Sequence, residues 1–343
     1  MAKTTTVTVD RLKRLSDAAL AAAGVPAADA QCVTRVLVEA DMMGVSTHGV
    51  VRLAAYTGRI RAGGVKARPN ITIDRRAPSL ALVDGDGGLG PVVGTRALET
   101  ALAMAAETGI AYVGCRNSNH FGAMAPYALS ACDAGMVMVS ATNAGPTIPP
   151  WGGAEARLGN NPLCVAAPVP AGPHFILDMA MSVAARGKIR LAARDGRPIP
   201  EGWAVDAAGR PTTDPVKALK GFLIAFGDHK GPGLSMAVDI LAGVLTGANF
   251  LTGVASWVDH PDTPQGAGHF FLLIDPGRLV GADAFADAIT RFCGSIRSTR
   301  PADPAQPVIL PGEREQARRR AAIVDGVAVA DDLLAEVEAL ARA

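Results

Sequence analysis

Two side chains of complementary chemistry lie four residues apart near the start of the chain. His48 supplies an imidazole and Arg52 supplies a guanidinium. An imidazole exchanges a proton near neutral pH, and a guanidinium binds a carboxylate through two parallel hydrogen bonds. If the chain is helical from Thr47 onward, both side chains lie on one face. The pair then suits a small carboxylic acid that is bound at its carboxylate while a neighbouring oxygen gains or loses a proton.

The same segment also has a purely structural interpretation. Ser46 or Thr47 would then be the N-cap of a surface helix, and Arg52 would be solvated. Thr47 directly precedes His48, so its hydroxyl is also suited to orient the imidazole or relay its proton. This segment alone favours the structural interpretation, and the choice depends on the rest of the chain.

The composition excludes several classes of function. The 343 residues are enough to bury about 75% of the unfolded surface, and they favour two domains. A net charge of +1 argues against nucleic acid or an anionic membrane as the main partner. Aromatic residues make up only 4% of the sequence, so surfaces for stacking bases are scarce.

Cysteine usage and the N-terminus indicate a cellular compartment. The five cysteines are scattered and form no C-x-x-C pair, which is typical of reduced thiols. The segment 1–6 lacks the apolar stretch of a signal peptide. We therefore expect a cytoplasmic protein.

One apolar stretch resembles a membrane segment. Residues 231–258 carry a single charge, Asp239, and a G-x-x-x-G spacing that occurs at membrane helix interfaces. Pro232, Asn249 and several glycines interrupt the stretch. It is better interpreted as a buried helix of about sixteen residues followed by a loop, with no membrane span.

The elements that position the candidate residues change in character along the chain. Apolar periodicity predicts helices over 9–24, 26–43 and 47–62. From residue 71 onward the pattern is that of a mixed α/β fold. Strands are predicted at 71–74, 80–84, 110–114, 136–141, 163–168, 174–178 and 269–274, the last of alternating type, and helices at 91–108, 123–135, 283–293, 314–320 and 331–341.

A glycine-rich turn between the second of these strands and its helix matches a dinucleotide-binding pattern. Residues 85–90 read G-x-G-x-x-G. No strand ending in an acidic residue follows about twenty residues on, as that motif requires. We therefore interpret the glycines as a tight strand-to-helix turn.

Two other histidines lie in turns that contain glycine. His120 follows a predicted strand and precedes a helix, where α/β proteins place their sites, and His229 precedes the apolar stretch. The sequence has no H-E-x-x-H spacing and no paired cysteines, so it predicts no metal site. It also lacks the G-x-S-x-G turn of serine hydrolases.

Short motifs recur in a fixed order along nearly the whole chain. They are S-T-H-G-V-V-R (46–52), S-N-H-F-G (118–122), P-W-G-G (150–153), L-G-N-N-P (158–162), D-M-A-M-S (178–182), G-K (187–188), I-P-E-G-W (199–203), P-T-T-D-P (211–215), H-K-G (229–231) and P-G-E-R-E (311–315). This set resembles the malate/L-lactate dehydrogenase-like oxidoreductases. That family includes ureidoglycolate, sulfolactate and diketogulonate enzymes and the Δ1-piperideine-2-carboxylate reductases.

The resemblance implies a fold and an activity. The fold is mixed α/β, with a non-Rossmann NAD(P)-binding α/β domain at 73–230 and a mainly helical domain built from both chain ends, 1–72 and 231–343, and the protein is a homodimer. The activity is hydride transfer between NAD or NADP and the α-carbon of a small 2-oxo or 2-hydroxy acid of the malate, lactate or ureidoglycolate type. NADPH-dependent reduction of a cyclic imino acid is the alternative.

The resemblance also implies roles for residues. His48 is the proton donor and acceptor, Thr47 its relay partner, Arg52 the carboxylate clamp and Asn160 a substrate contact, while His120 is a rival for the acid/base role. The implied cofactor contacts are His120, Phe121, Gly122, Ala123, Met124, Asp178, Met179, Ala180, Lys188, His229, Lys230, Glu313 and Arg314.

Some positions depart from the family pattern. Thr47 stands where many members have Ser, and Met181 replaces the usual Thr. Asp228 and Pro232 flank the H-K-G motif in place of common Gly and aromatic residues. Asp228 adds negative charge that disfavours a 2′-phosphate, so cofactor preference and pocket shape stay open.

Two other classes of function also stay open. One is a metal-dependent hydrolase or lyase that uses His48, His120, His229 and Asp178. The other is a ligand-binding relative that keeps the scaffold without turnover.

Overall fold

The computed structural model describes residues 3–170 and 172–342. Its strands are β1 (Thr4–Val7), β2 (Thr72–Ala77), β3 (Leu80–Asp84), β4 (Ile110–Ser118), β5 (Val137–Thr142), β6 (Pro146–Ile148), β7 (Leu158–Gly159), β8 (Leu163–Ala167), β9 (Phe175–Met179), β10 (Ala204–Val205), β11 (Phe222–Leu223), β12 (Ala267–Ile274) and β13 (Val327–Ala330).

The helices alternate with these strands in the middle of the chain and cluster at its ends. They are α1 (Val9–Ala22), α2 (Ala27–Met42), α3 (Leu53–Ala62), α4 (Gly90–Thr108), α5 (Ala125–Asp133), α6 (Arg186–Arg194), α7 (Pro215–Lys220), α8 (Lys230–Asp239), α9 (Pro276–Val280), α10 (Ala282–Arg297), α11 (Glu313–Asp325) and α12 (Asp331–Leu340). The mixed α/β class predicted from the sequence is confirmed.

A seven-stranded sheet organises the molecule. Its order is β2-β3-β4-β12-β5-β8-β9. Only β3 and β4 pair in parallel, and every other neighbouring pair is antiparallel. One parallel pair requires one crossover helix, and α4 supplies it.

The central strand of this sheet is β12, which comes from late in the chain. We expected an alternating strand there, and that prediction is wrong. Phe271 and Leu273 pack into a core with residues of α4 and α5, whereas Phe270 packs on the other side with residues of α6 and α8. Both faces of β12 are covered, so apolar side chains occupy successive positions.

The two ends of the chain share a second core. β1 pairs antiparallel with β13, and Leu12, Leu37, Leu53 and Val337 are buried together. Helical periodicity in α1, α2, α3 and α12 places these residues on one face of each helix. The proximity of the two ends brings α11 against α2 and α12 against α3, the two helices that flank the segment with His48.

The chain between α2 and α3 is not the single helix that we expected from Thr47 onward. Two 3₁₀ turns, Ser46–His48 and Val50–Arg52, are separated by Gly49 in an extended conformation. The Asp41 carboxylate accepts the N–H of Val50 at 2.7 Å, and a Cβ at Gly49 would overlap that carboxylate. This contact holds the segment out of the α-helical path.

The apolar stretch after residue 230 is also less buried than predicted. α8 continues through a π-helical turn, Ile240–Val244, and packs one side on the sheet. Its other side is exposed, at Leu234, Leu241 and Leu245 among others. Within the described residues, no helix is long and apolar enough to cross a membrane.

Candidate active site

A cavity of about 590 Å³ lies where the His48 turn meets the loops at the end of the sheet. Its wall comes from eight places: the His48 turn with the end of α2, the loop after β4, the loop after β5, the segment between β7 and β8, β9, the residue before α6, the loop before β12 and the start of α11. Ten of the residues predicted from the sequence line it: Thr47, His48, His120, Phe121, Gly122, Ala123, Met124, Asn160, Asp178 and Ala180.

His48 is half-buried at this wall. Thr47 Oγ1 lies 3.0 Å from His48 Nδ1, which fixes the imidazole and is the contact that a relay requires. Burial lowers the pKa of His48 to about 4, with a further lowering by the positive charge of Arg52. The imidazole is therefore neutral at neutral pH and ready to accept a proton.

His120 lies beside His48, with ring centroids 5.5 Å apart. Its Nδ1 lies 2.7 Å from the hydroxyl of Tyr56. Burial, followed by the charges of His48 and Arg52, holds the pKa of His120 well below its ordinary value. The loop that carries it lies tightly on α4, because a Cβ at Gly90 would overlap the His120 carbonyl. Gly90 ends the glycine-rich turn, so close packing accounts for this glycine.

Trp257 completes a stack of planar groups. Its ring lies 4.7 Å from that of His120 at an angle of 21°, and Arg52 Cζ lies 5.1 Å from the Trp257 ring centroid. Arg52 thus lies beside the cavity through its contact with Trp257. Stacking on an aromatic ring leaves the edge of a guanidinium available to bind a carboxylate.

The guanidinium of Arg52 has an unsatisfied hydrogen-bond donor. Among the described residues its buried Nε has no hydrogen-bond partner. Burial lowers the pKa of Arg52, as does the nearby positive charge of Arg190. A buried guanidinium without a carboxylate is costly, and a bound anion offsets that cost.

Asp178 faces the cavity at the end of β9. Its carboxylate accepts the N–H groups of Met124 at 3.0 Å and Ala125 at 2.9 Å, at the start of α5, where a helix favours negative charge. Asp178 is exposed toward the cavity, but desolvation by the surrounding residues nevertheless raises its pKa, with a smaller effect in the same direction from Glu315. Asn160 is held by the N–H of Ser182, which donates to its Oδ1 at 2.8 Å.

Six other predicted residues lie outside the cavity wall. Met179 is the last residue of β9 and directly precedes Ala180. Lys188 Nζ lies 5.9 Å from the centroid of the Trp203 ring. His229 and Lys230 are exposed at the start of α8. Glu313 accepts a hydrogen bond from Arg297 at 2.7 Å, and Arg314 is exposed. Their roles as cofactor contacts stay predictions.

Several residues of the site lacked a signal in the sequence. Tyr56 comes from an ordinary helix, and Trp257 and Gln265 come from a polar loop. Gln265 is 2% exposed, lines the cavity, and its Oε1 has no partner among the described residues. Only spatial proximity to His48 identifies these side chains.

The wall of the cavity suits a nicotinamide ring. Met43, Phe121, Ile176 and Leu177 supply apolar surface, and the unpartnered Gln265 Oε1 is an acceptor for an amide donor. Within the part of the chain that the structure describes, no group of three or more His, Cys, Asp or Glu residues is placed to hold a metal ion.

Comparison with known proteins identifies relatives over almost the whole chain. Residues 7–338 match the family described as malate/L-lactate dehydrogenase. The chain is 38% identical to a malate dehydrogenase of Pyrococcus horikoshii, over 97% of this chain and 94% of that protein. It is 34% identical to a ureidoglycolate dehydrogenase (NAD(+)) of Escherichia coli, over 94% of this chain and 92% of that protein.

Solved structures agree with these relatives. A sulfolactate dehydrogenase from Methanocaldococcus jannaschii has a TM-score of 0.91 and 35% identity, and the match covers 98% of this chain and 97% of that one. A delta1-piperideine-2-carboxylate reductase from Pseudomonas syringae has a TM-score of 0.88 and 28% identity, with coverage of 98% and 99%. The chain therefore belongs to the malate/L-lactate dehydrogenase family.

Proposed function

We propose that this protein catalyses reversible hydride transfer between NAD or NADP and the α-carbon of a small 2-hydroxy or 2-oxo acid. The observation that carries the proposal is that His48 and His120 line one cavity while Arg52 lies beside it across Trp257. The relatives are named for malate, sulfolactate and ureidoglycolate oxidation. Hydride donation or acceptance is the chemistry that the dinucleotide supplies when bound.

Proton transfer is the task of His48. In the oxidative direction its imidazole, which the low pKa keeps neutral before the reaction, accepts the proton of the substrate hydroxyl. In the reductive direction the imidazolium donates that proton to the forming alkoxide. General acid–base catalysis of this kind accelerates a reaction by about 10²–10⁴-fold.

Substrate orientation is the task of Arg52. Its guanidinium binds the substrate carboxylate, which fixes the face of the α-carbon presented for hydride transfer. The bound carboxylate also offsets the positive charge that lowers the His48 pKa, so substrate binding raises that pKa toward its ordinary value. Proton donation in the reductive direction then becomes easier.

The test follows nicotinamide absorbance with a panel of 2-hydroxy and 2-oxo acids and each cofactor. We expect turnover with at least one acid. Arg52→Ala should raise KM for the acid steeply. Arg61→Ala is the control, because it removes the same charge at the far end of α3, outside the site. An unchanged KM in Arg52→Ala would remove the clamp role, and a lack of turnover across the panel would favour a non-catalytic ligand-binding protein.

A cyclic imino acid is the second candidate substrate. Its support is the close structural match to a delta1-piperideine-2-carboxylate reductase. Such a substrate also presents a carboxylate to Arg52, but its nitrogen loses a positive charge as the α-carbon is reduced. Reduction of Δ1-piperideine-2-carboxylate, with no turnover of open-chain acids, would favour this alternative.

We infer further that the cofactor binds in a non-Rossmann manner, to a central α/β domain flanked by a helical domain from both chain ends. The support is the mostly antiparallel sheet and the core shared by both ends. β12 comes from the segment assigned to the helical domain and yet lies in the central sheet. The central sheet therefore contains residues from both sides of the proposed domain boundary at residue 231.

We also propose a cytoplasmic homodimer. All five cysteines are unpaired, as in reducing compartments. The exposed side of α8 and its π-helical turn presents Ile240 (57% exposed), Val244 (53%) and Leu245 (61%). A continuous apolar face of this kind is typical of subunit interfaces.

A further inference from the structure

A histidine that the proposed reaction does not use lies at the centre of the sheet. His269 is fully buried near the start of β12. Its Nδ1 lies 2.6 Å from the hydroxyl of Thr142 on β5, and its Nε2 lies 2.7 Å from the hydroxyl of Ser118 on β4. β12 lies between these two strands, so one imidazole joins the ends of both.

The two strand ends lead directly into the wall of the active-site cavity. β4 ends at Ser118 and β5 ends at Thr142. The loop after β4 lines the cavity with residues 120–124, and the loop after β5 lines it with residues 143–144, next to Thr142 itself. Each hydroxyl that His269 contacts is therefore the last side chain of its strand before a cavity loop.

The ring of His269 also supports the loop after β4 directly. It stacks on the ring of Phe121, with centroids 4.2 Å apart and planes 8° apart. Phe121 stacks in addition on Tyr127 at 5.0 Å, and the Tyr127 hydroxyl donates to the Phe121 carbonyl at 2.8 Å. Because Phe121 lines the cavity and directly follows His120, this stack fixes the loop that carries His120.

The hydrogen bonds indicate one neutral form of the imidazole. The hydroxyl of Thr142 donates its proton to the carbonyl of Gly268 at 3.1 Å, so its oxygen accepts the Nδ1–H of His269. Nε2 then accepts the hydroxyl proton of Ser118, whose other acceptor, the carbonyl of Asn119, is 3.5 Å away. Burial lowers the pKa of His269 to about 3, in agreement with a neutral ring.

A protonated ring would break this arrangement. Both nitrogens of His269 would then donate, and the Ser118 hydroxyl would lose its acceptor. A buried charge and a buried hydroxyl without an acceptor are each costly. The imidazole is therefore suited to be a fixed crosslink and not a further acid or base.

We propose that His269 is a positioning residue of the active site, whose neutral imidazole crosslinks the ends of β4 and β5 and so holds the two loops that line the dinucleotide site at their working separation. This role rests on the hydride-transfer function proposed above and adds to it a residue outside the cavity wall. His48 and Arg52 lie on other segments, so loss of the crosslink should affect the dinucleotide more than the acid.

The experiment measures the Kd of NADH and of NADPH by fluorescence titration in the wild type and in His269→Phe. Phenylalanine keeps a planar ring against Phe121 and removes both hydrogen bonds. We expect Kd to rise by about threefold to tenfold, the effect of one lost hydrogen bond, while KM for the acid changes less. His269→Gln keeps a donor and an acceptor and should restore part of the affinity.

Two further variants separate positioning from stability. Ser118→Ala removes one end of the crosslink, and its effect on Kd should not add to that of His269→Phe, because both remove the same contact. Ser140→Ala removes another buried hydrogen bond between β5 and β12, to the Phe270 carbonyl at 2.8 Å, outside the cavity wall. It should lower the melting temperature without raising Kd.

Nitrogen NMR of histidine-labelled wild-type protein tests the protonation of the ring without ligand or turnover. The signal that disappears in His269→Phe or His269→Gln should show a proton on Nδ1 and none on Nε2. It should not titrate between about pH 5 and 8, where ordinary histidines change charge. If His269→Phe fails to fold, this signal and the Kd of Ser118→Ala decide the matter.

Three results would overturn the proposal. They are an unchanged Kd in folded His269→Phe or Ser118→Ala, a rise in Kd in Ser140→Ala equal to that in His269→Phe, and a ring that titrates in this pH range. Each of these leaves hydride transfer intact. A wild type that binds neither dinucleotide, or turns over no 2-hydroxy or 2-oxo acid, would instead contradict the proposed function on which this inference rests.

Discussion

At the scale of single residues, the site is organised by charge in a poorly solvated place. His48 and His120 lie side by side near Arg52 and Arg59, and both imidazoles are neutral because burial and positive neighbours lower their pKa values. They differ in their partners. The Nδ1 of His48 meets a threonine hydroxyl, whereas that of His120 meets the buried hydroxyl of Tyr56. The arrangement makes His48 the better candidate for proton exchange and His120 the better candidate for a wall of the cavity.

Substitution of each histidine distinguishes these roles. His48→Ala should lower kcat by about 10²–10⁴-fold with little change in the Kd of the dinucleotide, because it removes the proton acceptor and leaves the apolar wall intact. His120→Ala should chiefly weaken dinucleotide binding. Steady-state kinetics and a fluorescence titration of NADH or NADPH measure the two quantities. If His120→Ala loses kcat while His48→Ala keeps it, the assignment is reversed.

The raised pKa of Asp41 makes the free energy of unfolding depend on pH, and it fixes the sign of that dependence. Burial raises its pKa from 3.8 to about 7, although the hydrogen bond from Val50 works in the opposite direction. Between these two values the native state keeps a proton that the unfolded state releases, so the stabilising contribution is complete below about pH 3.8 and is lost as the pH rises through 7.

Asp41→Asn tests this sign. Asparagine cannot ionise, and its carbonyl oxygen can still accept the Val50 N–H. From pH 5 to pH 8 the free energy of unfolding of the wild type should fall relative to Asp41→Asn by about 1–4 kcal/mol. Urea denaturation at both pH values measures the difference. Parallel pH profiles for the two proteins would show that the Asp41 carboxyl titrates normally.

At the scale of elements, short and irregular segments carry most of the chemistry. The two 3₁₀ turns hold His48 and Arg52, the loop after β4 holds His120, and the loop before β12 supplies Trp257 and Gln265. Regular elements hold these segments in place: α2 contributes Asp41, and α4 packs closely against the His120 loop through Gly90. A defect in one of these contacts should affect stability and activity together.

Gly49→Ala tests the contact between α2 and the His48 turn. The added methyl group would overlap the Asp41 carboxylate, so we expect a loss of about 1–3 kcal/mol in the free energy of unfolding and a fall in kcat/KM. Gly58→Ala is the matched control. It adds the same methyl group inside α3, where nothing lies within 4 Å, and it should stabilise by about 0.5–1 kcal/mol. Equal unfolding midpoints for the two variants would contradict the proposed contact.

At the scale of the whole molecule, one apolar surface lacks a partner within the described chain. α8 and its π-helical turn pack one side against the sheet and expose Ile240, Leu241, Val244 and Leu245 on the other. Exposure of large aliphatic side chains on one continuous helix favours association with a second copy through a two-fold interface. Because the helix also contacts β12, such an interface would support the central sheet.

Val244→Glu tests the proposed dimer. Val244 is 53% exposed, so a glutamate should be tolerated in the folded monomer but should oppose burial against a second copy. We expect the wild type to sediment as a dimer and Val244→Glu to shift toward the monomer. Val324→Glu is the control, since this residue is 84% exposed and belongs to a different helix, α11. A wild-type monomer, or a dimer unaffected by Val244→Glu, would exclude this interface.

The sequence by itself determined the mixed α/β class, the family and the main helices. Apolar periodicity and glycine stops gave α1, α2, α4 and α12 within a few residues, because each helix buries one continuous stripe and local signals mark its ends. The family resemblance that the motifs carry implied the residues from His48 to Asp178 that line the cavity, since each motif is a short local stretch of sequence.

Only the tertiary structure decided which distant segments complete the site. Trp257 and Gln265 carry no local signal, and they reach the cavity because the strand that follows them, β12, enters the sheet between β4 and β5. Tyr56 also carries no local signal, and it contacts His120 from α3. The break between the two 3₁₀ turns likewise depends on a side chain of the preceding helix, Asp41. Contacts between residues far apart in sequence set these positions, and periodicity along the chain does not encode such contacts.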